Sequence, residues 1–315
     1  MTVLDESLIG FDWVLGGVTG PFRYTNSSKL LYKGGIMMKK WLRFGLMVIS
    51  IFALIAVAGC GGGGDEPAAG ESSGGEDQAS QETILVASDT AYAPFEFQDP
   101  NSGDYVGFDM DLVKAIAEVN DWNCEIRSMN FDGIVPALES SSVDMSISAM
   151  TITDQRKEKV NFSVPYYRSG QSVMVAASNE DIKGFEDLDG KHIGAQISTT
   201  GAMEANTVPN AEVTEYNTIN EAFMALRNGN IDAIVNDFPV NAYFIKRGND
   251  DVKLVGDLRT SEHYGIAIPK DKPEILEKVN SALETLKENG KYDEIYKEWF
   301  GEEPAEYLPG EPTEQ

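Results

Sequence analysis

Four short regions of the 315-residue chain concentrate the side chains that could do chemistry. One is Asp89-Thr90-Ala91-Tyr92-Ala93-Pro94-Phe95, and another is Asn130-Phe131-Asp132-Gly133. A third is Ser148-Ala149-Met150-Thr151, followed closely by Thr153-Asp154-Gln155-Arg156. The fourth is Gln196-Ile197-Ser198-Thr199-Thr200-Gly201, with Asn236-Asp237 further along. Together they offer a cation, carboxylates, two aromatics, and hydroxyl or amide donors at a helix start. A guanidinium fork grips a carboxylate bidentately, and a carboxylate holds an ammonium. The inventory suits a small zwitterion carrying a polar side chain.

Catalytic signatures are missing. No G-x-S-x-G elbow occurs, and His192 and His263 have no nearby Ser or Cys signature, so both read as structural. The glycine run at Gly61 lies outside any strand-to-helix junction, so it is no phosphate loop. Two Cys and two His cannot build a four-ligand zinc site of the usual spacing, and neither metal nor cofactor is expected. Cys124 alternates with Trp122 and Ile126 and reads as a small buried hydrophobe.

The elements that must position these residues follow from hydrophobic periodicity. Short apolar runs bounded by turn residues predict strands over Ile84–Ser88, Cys124–Ser128, Asp144–Ser148, Lys191–Ala195 and Ile231–Val235. Helix-period segments lie between them, at Asp109–Asn120, Thr218–Asn228 and Pro273–Asn289, the last closed by Gly290. Alternating strands and helices imply parallel α/β sheets, which bind ligands at the carboxyl ends of their strands. The four regions all follow such ends.

Charge narrows the function classes. The chain carries 25 Lys+Arg against 51 Asp+Glu, a net −26, which excludes a general nucleic-acid binder. It also disfavours electrostatic attachment to anionic lipid. At 42% hydrophobic and 10% aromatic, the composition is that of a globular protein.

The first 82 residues read as export machinery and tether. Lys39, Lys40 and Arg43 precede the 15-residue apolar run Phe44–Ala58, too short for a membrane span but fitting a signal peptide over 37–59. Val57-Ala58-Gly59-Cys60 resembles the lipobox of bacterial lipoproteins, which implies cleavage before Cys60 and lipid on its sulfur. The alternative is an N-terminal membrane anchor with an incidental Cys. Met37-Met38 offers a start that would make residues 1–36 an extension absent from the natural protein. Residues 60–82, rich in Gly, Ser and acid, form a flexible tether with a reach on the order of 25 Å.

Six stretches together resemble the polar-amino-acid substrate-binding proteins of ABC importers: DTAYAPFEF, VGFDMDL, MNFDGIVPAL, SAMTITDQRKEKVNFSVPYY, the STTG turn and NGKYDEIYKEWFG. The glutamine-binding members look most similar, and the likeness runs over residues 83–301. It implies a type II periplasmic-binding fold, two α/β lobes joined by two crossing strands with the ligand cleft between them. Lobe 1 is then expected at 83–168 plus 263–301, lobe 2 at 169–262, and an acidic tail at 302–315. The resemblance also implies a monomer on the extracytoplasmic side, held by lipid through Cys60, that delivers a free polar amino acid to a membrane permease.

By resemblance, Arg156 grips the ligand's α-carboxylate, helped by Thr151, Thr199 and Thr200, while Asp237 and the Ala149 carbonyl hold its α-ammonium. Tyr92 and Phe131 flank its aliphatic stem, Asp89 faces its distal end, and Met150, Gln196 and Asn236 complete the set. Plainer readings exist: Arg156 as a surface cap, Thr199 and Thr200 as N-caps, Asp237 as the N-cap of a helix through Ala242 and Phe244. Glutamine-specific members typically have Lys at the place of Gln196 and His at the place of Asn236. Losing that Lys leaves Asp89 without a cationic neighbour, which favours a basic ligand such as Arg, Lys or His over glutamine. Two alternatives stand beside binding: a dehydratase of the same fold using Glu96 or Asp89 as general acid, or a ligand sensor acting in trans.

Overall fold

The computed structural model describes residues 81–312. The expected extension, signal peptide, lipid site at Cys60 and nearly all of the tether lie outside the described residues.

The body begins with β1 (Glu82–Ser88), whose Ile84 and Val86 are buried. A small antiparallel sheet follows: β2 (Ala91–Tyr92), β3 (Glu96–Gln98) and β4 (Tyr105–Val106). Next come α1 (Phe108–Asn120), β5 (Trp122–Ser128), α2 (Phe131–Glu139), β6 (Met145–Ser146), α3 (Asp154–Lys159) and β7 (Val160–Phe162). β8 (Tyr167–Ser169) then leads away to β9 (Gln171–Ala176), β10 (His192–Gln196), α4 (Thr200–Ala205) and β11 (Glu212–Tyr216). α5 (Ile219–Arg227), β12 (Ala233–Asp237), α6 (Phe238–Lys246) and β13 (Val252–Val255) complete that second part. β14 (Glu262–Tyr264) returns to the first, which ends with β15 (Ala267–Pro269), α7 (Pro273–Glu288) and α8 (Lys291–Phe300).

The two parts repeat one plan. The first sheet runs β5-β1-β6-β15-β7 and the second β11-β10-β12-β9-β13. In each, three parallel strands are followed by one antiparallel strand, β15 or β9, and an edge strand, β7 or β13, that reverses direction again. Among the described residues, β8 and β14 run between the sheets, paired antiparallel with Glu262 opposite Ser169 and Tyr264 opposite Tyr167.

The periodicity of the sequence explains the helices. α1 buries Met110, Val113, Ile116 and Ala117, and α5 buries Ile219, Ala222, Phe223 and Leu226. Thr218 closes a reciprocal capping box with Glu221 at the start of α5, and Gly290 takes up a left-handed conformation after α7. Two strand expectations need correction. The strand expected over Asp144–Ser148 is β6, only two residues long, because Ala149 turns to φ 43° and carries residues 148–151 out of the sheet. The strand expected over Ile231–Val235 lies two residues later, in β12, because a turn through Gly229 and Asn230 closes α5 first.

An aromatic cluster ties the crossing strands to the first lobe. Tyr167 of β8 and Tyr264 of β14 stack at 5.5 Å, and Phe95, Phe108, Tyr296 and Phe300 pack around them. The acidic tail docks here too. Leu308 is buried, Lys287 Nζ donates to the Tyr307 carbonyl, and the Tyr307 hydroxyl lies 2.8 Å from His263 Nε2. His263 is thus structural in its contacts, as is His192, whose Nε2 meets Thr214 Oγ1 at 2.8 Å. Cys124 packs against the core, and burial pushes its thiol up to about 11, consistent with an unreactive side chain.

The start of α1 is fixed by a close backbone approach. Phe108 N–H donates to the Pro94 carbonyl and Asp109 N–H to the Phe95 carbonyl, satisfying two orphan donors of the first turn. Gly107, at φ 135°, makes room for this, since a Cβ there would sit 2.0 Å from the Phe95 oxygen. Gly107→Ala should therefore lower the unfolding free energy by at least about 2 kcal/mol. A urea titration reads this as an earlier midpoint at unchanged slope. A variant as stable as the parent would show that the approach is not constraining.

Candidate functional site

The parallel strands of both sheets point their carboxyl ends at a common cleft, and the residues after them meet there. Asp89 follows β1, Phe131 opens α2 after β5, and Ala149 and Thr151 follow β6. Gln196 ends β10, Asp237 ends β12, and Thr199 and Thr200 start α4. These residues, with Tyr92, Arg156, Glu96 and Ser148, line one collapsed cavity of about 10 Å³, room for about a single water molecule. Ten of the twelve expected ligand contacts are brought together.

Two are not. Met150 sends its side chain into the core beside Ile134 and Val160, and its carbonyl accepts from Gly265 N–H. Asn236 sits behind the wall, its Oδ1 accepting from the Tyr92 hydroxyl at 2.9 Å. Asn236 follows from the strand period of β12, which sends neighbouring side chains to opposite faces, and Met150 from the turn at Ala149, φ 43°.

The lobes are closed on one another through the site itself. The Tyr92 hydroxyl lies 2.7 Å from Asp237 Oδ2, and Gln196 Nε2 donates to Asp89 Oδ2 at 2.5 Å. Arg156 Nη2 reaches the Ser198 carbonyl at 3.0 Å, while Nη1 donates to the Thr151 carbonyl at 2.7 Å. At the rim Asn220 Nδ2 donates to the Ala91 carbonyl.

Three of the expected ligand contacts, Arg156, Asp89 and Asp237, are buried ionisable groups, and Glu262 is buried beside them. Arg156 is 6% exposed, lies over the Phe131 ring at 5.2 Å, and has no salt-bridge partner among the described residues. It is not a surface cap. Burial pulls its guanidinium down, while Asp237 and Glu262 pull the other way. Asp89 has no cationic partner among the described residues, and burial raises it to about 6 against the single amide of Gln196. Asp237 is also raised to about 6, first by burial and then by Glu262. It stands at the N-cap position of α6 but makes no capping hydrogen bond, so its carboxylate faces Tyr92 and Gln171 instead. Thr199 does cap, accepting from Ala202 N–H at 3.1 Å.

Gln171 of β9 went unread in the sequence, and so did Glu262 of β14. Its Oε2 accepts from Thr151 Oγ1 at 2.7 Å and Thr200 Oγ1 at 2.8 Å, and its Oε1 from Thr260 Oγ1 and Gln171 Nε2. The hydroxyls of Thr151 and Thr200 are thus engaged by a protein carboxylate in this structure. Gly201 admits α4 to this corner, because a Cβ there would lie 2.8 Å from the Val235 carbonyl oxygen. No local pattern marks Glu262; only its place on a crossing strand beside a threonine-rich corner could have suggested it.

A hinged cleft with charged poles in both walls defines a two-lobed solute-binding protein. The chain belongs to the bacterial extracellular solute-binding proteins, family 3, whose model matches residues 84–302. It is 33% identical over 271 residues to the ABC transporter glutamine-binding protein GlnH of Bacillus subtilis, covering 84% of this chain and 98% of that one. Among solved structures it resembles an ancestral arginine-binding protein bound to glutamine. The identity is 44% and the TM-score 0.68, over 70% of this chain and 99% of the other. The ancestral arginine-binding protein bound to arginine matches at 43% identity and TM-score 0.68, over the same shares. The fold is the type II periplasmic-binding fold.

Because Glu262 gathers donors from both lobes and from the crossing itself, Glu262→Ala should destabilise the protein by about 1–3 kcal/mol. Glu262→Gln keeps an acceptor and should lose less. Differential scanning calorimetry checks both, and equal melting of all three proteins would remove Glu262 from this role.

Proposed function

We propose that this chain is the extracytoplasmic substrate-binding component of an ABC importer for polar amino acids, and that its preferred ligand is a basic amino acid. The observation that carries the preference is Asp89: a buried carboxylate at the cleft's far end whose one side-chain donor is the neutral amide of Gln196. Arg156 supplies an unpaired cation for an α-carboxylate, and Asp237 an anion for an α-ammonium. A zwitterion satisfies those two, and a cationic side chain satisfies Asp89 as well. The relatives and neighbours named above are called glutamine-binding or arginine-binding, which supports the ligand class and leaves both amino acids in contention.

Binding bridges the lobes and shifts the population towards the closed form, which the permease reads. Tyr92 and Phe131 flank the stem of the side chain. The protein works as a monomer tethered to the membrane by lipid on Cys60; among the described residues no helix is long and apolar enough to cross a membrane. It is a carrier and not a dehydratase or a sensor. Incubation with prephenate or arogenate should give no aromatic product.

Calorimetry with the common amino acids tests the ligand. Arginine or lysine should bind more tightly than glutamine, and tight glutamine binding without arginine or lysine binding would overturn the preference. Arg156→Ala should weaken binding of every ligand by at least about 2 kcal/mol. A loss under about threefold, or under 1 kcal/mol, would put the carboxylate site elsewhere.

The pH dependence separates the two ends of the ligand. Asp89 and Asp237 are both raised to about 6, so each is ionised above that value and neutralised as pH falls through it. Loss of Asp237 charge weakens arginine and glutamine alike, whereas loss of Asp89 charge weakens arginine specifically. The ratio of arginine to glutamine affinity should therefore fall on acidification, by up to about tenfold per pH unit for one linked proton. In Asp89→Asn the ratio should be low at all pH values and nearly flat.

A further inference from the structure

Beside the far end of the cleft lie two carboxyl groups that no expected ligand contact uses. Glu96 of β3 lines the cavity, and Asp109 stands in the first turn of α1; both are 0% exposed. The hydrogen bond from Asp109 N–H to the Phe95 carbonyl, 2.9 Å, brings their backbones together. One oxygen of each carboxyl is satisfied. Glu96 Oε1 accepts from Ser148 Oγ at 3.0 Å, and Asp109 Oδ2 accepts from Ala149 N–H at 2.8 Å and the Tyr166 hydroxyl at 2.9 Å. The other oxygens, Glu96 Oε2 and Asp109 Oδ1, are buried without an N–H or hydroxyl donor from any other described residue. Neither carboxyl has a salt-bridge partner among the described residues.

Two adjoining carboxylates with orphan oxygens and no cation would be an uncompensated double charge in the interior. A single proton removes the problem, because it neutralises one group and gives both orphan oxygens a partner. We propose that Glu96 and Asp109 share one retained proton, carried on Glu96 Oε2 and donated to Asp109 Oδ1, and that this pair positions Ser148 and Ala149 at the wall of the ligand cavity.

The surroundings place the proton on Glu96. Burial first, then the charges of Asp109 and Asp89, push its carboxyl well above the ordinary range. Asp109 stays lower, at about 6, because Ala149 N–H and the Tyr166 hydroxyl stabilise its ionised form against burial. The titratable groups facing the pair are Asp89 after β1, Tyr92 in β2 and Tyr166 before β8, and none is cationic. Burial pushes both tyrosines up, so they remain neutral.

Two links run from the pair to the ligand cavity. Ser148 Oγ donates to Glu96 and accepts the Asp89 N–H at 2.9 Å, so Glu96 steadies the turn that carries Asp89. Asp109 holds Ala149 N–H and with it a left-handed residue at φ 43°, a conformation that a non-glycine residue keeps only when its surroundings hold it. The consequence for the ligand rests on the amino-acid-binding reading. With Glu96 neutral, the far end of the cleft presents Asp89 as its charged group and matches one positive charge.

Infrared spectroscopy tests the proton without any ligand. At a pH well above 6, where Asp89, Asp109 and Asp237 are ionised, the wild-type protein should still show the carbonyl stretch of a protonated carboxyl group. The band should vanish in Glu96→Gln. In Asp109→Asn, which removes the neighbouring negative charge and offers an amide donor, the band should disappear at a lower pH than in the wild type. A wild type without the band, or a band that survives in Glu96→Gln, overturns the proposal. For positioning, Glu96→Ala should weaken L-arginine or L-glutamine binding by at least about tenfold, as expected when buried donors lose their acceptor. Glu96→Gln, which can donate to Asp109 and accept from Ser148, should recover most of that loss, and equal losses would overturn the positioning role. Should Glu96→Ala fail to fold, the infrared comparison of wild type with Asp109→Asn still decides. If neither amino acid binds the wild type, the ligand reading fails while the band stands or falls by itself.

Discussion

Burying a charge without a partner of opposite sign is the constraint on which this cleft depends. Arg156 and Asp89 on one lobe and Asp237 on the other are all withdrawn from water, and the described part of the chain gives none of them an ion-pair partner. Neutral groups soften the cost: the Thr151 and Ser198 carbonyls for Arg156, the Gln196 amide for Asp89, Tyr92 and Gln171 for Asp237. Such hydrogen bonds fix geometry but leave the charges uncancelled. A ligand with its own complementary charges lowers the energy of the closed form more than that of the open one. Closure is thereby coupled to occupancy, as a population shift requires.

The fold serves that coupling by dividing the charges between two bodies. Each sheet presents the ends of its parallel strands to the cleft, so closure brings Asp89, Thr151 and Arg156 against Gln196, Thr200 and Asp237. The link is two short strands, and their Tyr167 and Tyr264 are packed into the aromatic cluster of the first lobe. Anchoring the crossings on one side gives motion a defined axis. Glu262 sits on one of these crossings and takes hydrogen bonds from Thr151 on one side and Thr200 on the other, so the crossing is tied to both lobes in the closed arrangement.

Residues that sit at strand ends were legible in the sequence because a hydrophobic run followed by polar residues marks the strand and its mouth together. Asp89, Phe131, Gln196 and Asp237 are of this kind. Met150 shows where the logic breaks: residues 148–151 leave the sheet at Ala149, and only a backbone at φ 43° decides which of them faces the cavity. Glu262 and Gln171 were illegible for another reason. Their partners lie on other segments, Thr151 being 111 residues from Glu262 and Glu262 91 from Gln171, so no local pattern records the meeting. The crossing strands could be placed from the resemblance, but not the carboxylate that one of them carries into the site.

Net charge alone is a poor guide to what this cleft attracts. The chain's −26 is spread over a surface, where salt screens it within about 10 Å, and it favours any cation weakly. Inside the cleft the count is short and each charge is felt. In the proposed reading Arg156 and Asp237 together cancel against a zwitterion, which leaves Asp89 to decide the side chain. That decision holds only while Glu96, which lines the same cavity, stays neutral; an ionised Glu96 would add a second negative charge beside Asp89 and call for more positive charge than one amino-acid side chain carries. A residue can thus shape selectivity by withholding its charge, and Asp109 is the group that receives the proton Glu96 keeps.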